Sequence, residues 1–147
     1  MMYRIQYKYK RTFIGSIPQD ADLSESLNKI VIEEDIRVGK ITAIGAVKKA
    51  VIGYFDQNSK EYKTIEFNGG YEILNCNGNI STRERKLFVH AHMTLSDKDG
   101  KVYGGHLMPG TKVFACEVFI DEYTGEDLVR EKDQTTDLFL WKNKDLV

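Results

Sequence analysis

Leu87-Phe88-Val89-His90-Ala91-His92-Met93-Thr94-Leu95, continuing as Ser96-Asp97-Lys98-Asp99-Gly100-Lys101-Val102-Tyr103-Gly104-Gly105-His106-Leu107, reads as two strands joined by a tight turn. Side chains alternate across a strand, so Leu87, Val89, Ala91, Met93 and Leu95 share an apolar face toward a core while Phe88, His90, His92 and Thr94 take the other. A three-residue loop, Lys98-Asp99-Gly100 with the glycine left-handed, pairs Asp97 with Lys101. Counting back from that pair sets His92 opposite His106 on one face. A loop one residue longer or shorter turns His106 to the apolar side. Directly opposed residues have Cβ atoms about 5 Å apart, so the two imidazoles come within reach of one ion, with His90 a pleat further along.

These are the three histidines of the chain. Three neutral imidazoles with a vacant position suit Zn²⁺ and also accept Ni²⁺, Cu²⁺ or Fe²⁺, which makes His90, His92 and His106 candidate metal ligands. Paired histidines on a half-exposed strand also simply pack or hydrogen-bond, and that alternative stands beside the first. Gly104 and Gly105 are small enough to admit an ion, a ligand or another backbone. Glu117 is a lone carboxylate in the apolar run Val113-Phe114-Ala115-Cys116-Glu117-Val118-Phe119, where an unpaired charge is costly. It is a candidate ligand, a hydrogen-bond acceptor for an imidazole N–H, or a general base of raised pKa; an ion pair with Arg83 or Arg85 is the structural alternative.

Outward from the hairpin, most of the chain carries strand signals. Strands are expected over Ile41 to Phe55, with bends at Gly45 and Gly53, and over Glu61 to Phe67, Tyr71 to Asn75, Lys86 to Leu95, Val102 to Leu107, Val113 to Ile120 and Asp137 to Trp141. Asp56 to Lys60 is a polar loop, and Asn68-Gly69-Gly70 and Asn77-Gly78-Asn79 read as turns. One long helix starts at Asp22-Leu23-Ser24-Glu25, where Asp22 caps and Glu25 reaches back. Leu23, Leu27, Ile30, Val31 and Val38 recur at helical spacing to about Arg37, and Gly39 supplies the stop. A mostly antiparallel sheet covered by one main helix is an α+β architecture.

With 147 residues, 41% hydrophobic and 29% charged, and no repeat or linker, the expectation is a single domain over residues 1–147. Lys plus Arg is 21 against 22 for Asp plus Glu, a formal charge of -1, so there is no bulk positive field to hold nucleic acid. The basic runs Tyr7 to Arg11 and Arg83 to Lys86 read as solvated edges that block stray strand pairing, with phosphate contact as the alternative. No apolar stretch is long enough to cross a membrane and the first eight residues lack a signal-peptide core, so a cytoplasmic protein is expected. Cys76 and Cys116 read as reduced core residues. Asp97-Lys98-Asp99-Gly100 lacks the spacing of a calcium loop, and no nucleotide-binding or serine-hydrolase motif is present.

His90-Ala91-His92, Leu95-Ser96-Asp97-Lys98-Asp99-Gly100, Val102-Tyr103-Gly104-Gly105-His106-Leu107 and Pro109-Gly110 together resemble the signature of the PPC domain, the plant and prokaryote conserved domain also called DUF296. The likeness extends upstream through Ile41 to Ala46 and downstream to Glu117. It implies a stand-alone prokaryotic form: a PPC-like α+β domain assembled as a homotrimer, with His90, His92 and His106 on a metal, commonly zinc. It also implies a candidate DNA-binding or regulatory role, by association with plant relatives that carry AT-hooks. This chain has no Arg-Gly-Arg-Pro element, and the plant partner-binding motif Gly-Arg-Phe-Glu-Ile-Leu stands here as Gly69-Gly70-Tyr71-Glu72-Ile73-Leu74, without its arginine. Two further readings remain: a metal-dependent enzyme of hydrolytic or hydration chemistry on a small-molecule substrate with Glu117 as base, and a protein-interaction scaffold.

Overall fold

A computed structural model describes residues 5–141, so both ends of the single-domain expectation lie outside it. The strands are β1 (Lys8–Ile17), β2 (Gly39–Asp56), β3 (Glu61–Arg83), β4 (Lys86–Ser96), β5 (Val102–Leu107), β6 (Lys112–Thr124), β7 (Val129–Lys132) and β8 (Phe139–Trp141), with one helix, α1 (Leu23–Glu33). At 65% strand and 8% helix among the described residues, this is a mostly-β fold built on a barrel-like sheet, which corrects the α+β expectation. The sheet runs β1-β6-β2-β5-β4-β3-β7-β8, and β2 also pairs with β3, so β2, β5, β4 and β3 close on themselves.

Two very long strands produce the closure. Asn68-Gly69-Gly70 and Asn77-Gly78-Asn79 do not turn the chain; both lie within β3. Gly78 sits between Ile41 on β2 and Ala91 on β4, where a Cβ would meet the His90 carbonyl oxygen at 2.7 Å. Its glycine permits close approach rather than reversal. Gly69, at φ +110, lies beside an irregularity where β3 slips against Val47 and Lys49 of β2. Such bulges bend a strand without ending it.

Asp22 caps α1 as expected, its Oδ1 accepting from the Glu25 amide at 3.1 Å and its Oδ2 from the Gly110 amide at 2.6 Å. Leu23, Leu27 and Val31 are fully buried over the sheet, and Asn28 accepts from the Val89 amide at 3.2 Å, tying helix to β4. The helix stops at Glu33, earlier than Arg37, because Asp35 turns left-handed at φ 47 and sends Ile36 into the core. Gly39 instead opens β2, where a Cβ would meet the Asp121 carbonyl oxygen at 2.6 Å.

Val89, Ala91, Met93 and Leu95 are buried on the core face of β4. The basic run from Tyr7 leads into β1, an edge strand absent from the sequence reading. Lys10 and Arg11 there hold the buried Glu122 carboxylate at 2.8 and 2.5 Å. Cys76 and Cys116 are free, buried thiols, pushed up by burial to about 12 and about 11. Among the described residues no helix is long and apolar enough to cross a membrane.

Candidate metal centre

The β4–β5 hairpin forms with the register read from its loop. Gly100 is left-handed at φ 78, the Asp97 amide donates to the Lys101 carbonyl at 3.0 Å, and His92 stands opposite His106. Asp97 secures the turn by accepting from the amides of Asp99 and Lys101, each at 2.9 Å. Those contacts hold its carboxyl below the usual carboxylate range. On neighbouring strands Asn79 faces His90, Asn77 faces His92, and Gly53 faces His106.

The three imidazoles form a near-equilateral triangle, with ring centroids 5.1, 4.9 and 5.3 Å apart. One ring nitrogen from each lies within 4.8 Å of the others. His90 Nε2 and His92 Nε2 are 3.2 Å apart. Nitrogens about 2.0–2.1 Å from a tetrahedral ion stand about 3.3 Å from each other, so this pair already has the spacing of two ligands. His106 Nδ1 is buried without a hydrogen-bond partner. Burial, joined by the charges of neighbouring imidazoles and Arg130, lowers His90 and His106 to about 4. Both rings are therefore neutral near pH 7, and each has one ring nitrogen with a lone pair that can serve an ion once its proton sits on the other.

Gly104 and Gly105 turn out to admit backbone. A Cβ would meet the Met93 carbonyl oxygen at 2.9 Å from Gly104 and the Gly53 carbonyl oxygen at 2.8 Å from Gly105. Glu117 does not join the histidines. It is exposed on β6, opposite Ser16 and Ile44, and its strand alternates so that Cys116 and Val118 take the core. Nor do Arg83 or Arg85 reach it among the described ion pairs; Arg83 lies over the Phe139 ring at 3.7 Å.

Arg130 escaped the sequence reading. It is only 8% exposed, and its Nη2 lies 3.3 Å from His90 Nδ1. Leu128 to Lys132 carries no periodicity that marks it, since its burial follows from β7 pairing in parallel with the far end of β3. Three imidazoles with a buried cation behind them can hold a divalent ion with an open position and draw negative charge toward it.

The family model of the Plants and Prokaryotes Conserved (PCC) domain matches residues 4–124. A metal-containing protein of Archaeoglobus fulgidus is 42% identical, with a TM-score of 0.90 over 96% of this chain and 99% of that one. A plant- and prokaryote-conserved (PPC) protein of Pyrococcus horikoshii is 34% identical, with a TM-score of 0.91 over 99% and 100%. A protein of Bacteroides thetaiotaomicron described as a candidate DNA-binding protein is 27% identical, with a TM-score of 0.84 over 93% and 97%. The bifunctional protein GlmU of a Synechococcus strain is 25% identical over 117 residues, 78% of this chain. The chain spans only 17% of that relative's length.

Proposed function

Since the chain belongs to the Plants and Prokaryotes Conserved (PCC) domain family, we propose that it is a homotrimeric metal-binding module in which His90, His92 and His106 hold one divalent transition ion, by preference Zn²⁺. The observation that carries this reading is the triangle of ring nitrogens within 4.8 Å, two of them 3.2 Å apart. The metal-containing Archaeoglobus relative, 42% identical over nearly its whole length, supports it. An ion with an open position would supply Lewis acidity there, while the chain's own part is to keep the His90 and His106 imidazoles neutral and the β4–β5 register fixed. Trimeric assembly draws support from an outer apolar face in which Ile14 stands opposite Phe119 beside Ile44, all exposed.

DNA binding, the role described for the Bacteroides relative, is the second reading. A net charge of -1, with Lys10 and Arg11 on β1 committed to Glu122, weighs against it. Affinity for duplex DNA that falls steeply with salt would favour it; none at 50 mM salt would remove it.

Elemental analysis of untagged protein tests the metal. About one ion per chain is expected, lost from the folded triple variant His90→Ala, His92→Ala, His106→Ala. Protein that takes up no ion after dialysis against zinc would overturn the reading.

A further inference from the structure

Among the described residues, Arg130 is a buried cation without a counter-ion. Its Nε donates to Ser81 Oγ at 2.8 Å, Nη1 to the Phe139 carbonyl at 2.9 Å, and Nη2 to Asn79 Oδ1 at 2.8 Å, with His90 Nδ1 at 3.3 Å. All four partners are neutral, and no ion pair among the described residues includes it. A guanidinium stays charged in a protein, so Arg130 cannot relieve its burial by losing a proton. Leaving such a charge uncompensated away from water is costly, and a site that maintains it is built to receive negative charge.

A cleft of about 550 Å³ opens against it, walled by Asn79, His90, Arg130, Leu140 and Trp141. That volume suits a small molecule. The Trp141 ring lies 5.4 Å from the Arg130 guanidinium carbon and gives the cleft an apolar wall. The other charges of the lining sit on the adjoining segment and are engaged. Lys132 is held by Asp137 at 2.8 Å, Asp133 accepts from Thr136 at 2.7 Å, and Glu131 has interactions of its own. Two carboxylates there disfavour a polyanion and leave room for one negative group directed at Arg130.

We propose that this cleft binds a small organic carboxylate, its carboxyl group anchored by Arg130 and its body lying on Leu140 and Trp141, beside the three imidazoles. The inference deepens the metal-centre reading and rests on it for the ligand's proximity to the ion. One Nη1 hydrogen of Arg130 has no acceptor among the described residues. The His90 contact is the longest of the four, and it needs the lone pair of Nδ1. An imidazole that gives Nε2 to an ion carries its proton on Nδ1 and no longer accepts from Arg130, which frees a second donor. The carboxylate is thus expected to bind more tightly to metal-loaded protein than to metal-free protein.

The probe is butyrate, compared with neutral butyramide by calorimetry on the intact metal-loaded chain. Butyrate is expected to bind saturably at one site per chain and the amide about tenfold or more weakly, the size of losing a charge-assisted hydrogen bond. Arg130→Gln is expected to abolish the preference while metal content is unchanged. If that variant does not fold, the Arg130 Nε–H resonance of the unmodified protein serves instead, shifting with butyrate and not with the amide. Equal affinity for acid and amide, full butyrate affinity in Arg130→Gln, or a resonance unmoved by butyrate would overturn the proposal. Metal retained with no butyrate binding sinks this inference alone. Arg130-dependent binding to a chain that takes up no metal supports the anion site and sinks the metal reading.

Discussion

Gly105 shows how one absent methyl group positions the neighbouring His106. Its missing Cβ would stand 2.8 Å from the Gly53 carbonyl oxygen and 3.1 Å from Ile52 Cδ1, so alanine there must push β5 off β2 at its short pairing of Gly53 with His106. Gly105→Ala is expected to lose about 1–3 kcal/mol in urea unfolding, as other insertions into packed structure do, and to lower metal content. Gly70→Ala, where a Cβ meets nothing within 4 Å, is the control and is expected to stay within about 0.5 kcal/mol. Equal behaviour of the two variants would remove the packing role given to Gly105. The sequence already marked Gly104 and Gly105 as positions of close approach. It could not name what approaches, because the Gly53 carbonyl is brought there only by the closed sheet.

At the scale of elements, legibility followed locality. The β4–β5 register was readable because one short loop determines it, and His92 meets His106 as counted. Inserting one glycine between Asp99 and Gly100 is therefore expected to turn His106 to the core face and abolish stoichiometric metal binding; retention of the ion would show that the register tolerates a bulge. Asp97 adds a pH dependence. Its folded pKa lies below the unfolded value, so its contribution to stability is present above about pH 3.9 and is lost as pH falls through the lower folded pKa. Asp97→Asn is expected to flatten that acid limb in a urea midpoint series between pH 5 and pH 2; an unchanged limb would mean the turn does not depend on the charge. By contrast β3 was read as shorter strands separated by turns, because asparagine and glycine signal reversal as readily as a bulge or a close approach. Only pairing with β2 on one side and β4 on the other distinguishes these outcomes. Arg130 was invisible for the same reason: its surroundings come from Ser81, Asn79, His90 and Phe139, all distant in sequence.

For the whole molecule, strand periodicity was legible but closure was not, since curvature arises where bulges in β2 and β3 fall in register, and no local pattern carries that. The same curvature leaves an apolar surface outside the barrel-like sheet. Ile14 is 71% exposed, Phe119 48% and Ile44 52%, on the adjacent strands β1, β6 and β2. Single exposed apolar side chains are ordinary; three on adjoining strands of one face are a surface that asks for cover. Glu117 belongs to this face, opposite Ile44, which accounts for a carboxylate in an apolar strand without any role at the metal centre. Covering the face with copies of the same chain predicts a closed assembly, and light scattering is expected to give three times the chain mass. Ile14→Glu with Phe119→Glu places like charges directly opposite one another across β1 and β6 and buries them in that contact, so monomers should result. Because the imidazole triangle is built from β4 and β5 of one chain, those monomers are expected to keep their metal. An assembly that survives both charges would move the interface elsewhere on the molecule, whereas metal lost together with assembly would mean that the centre needs a neighbouring chain to hold its shape.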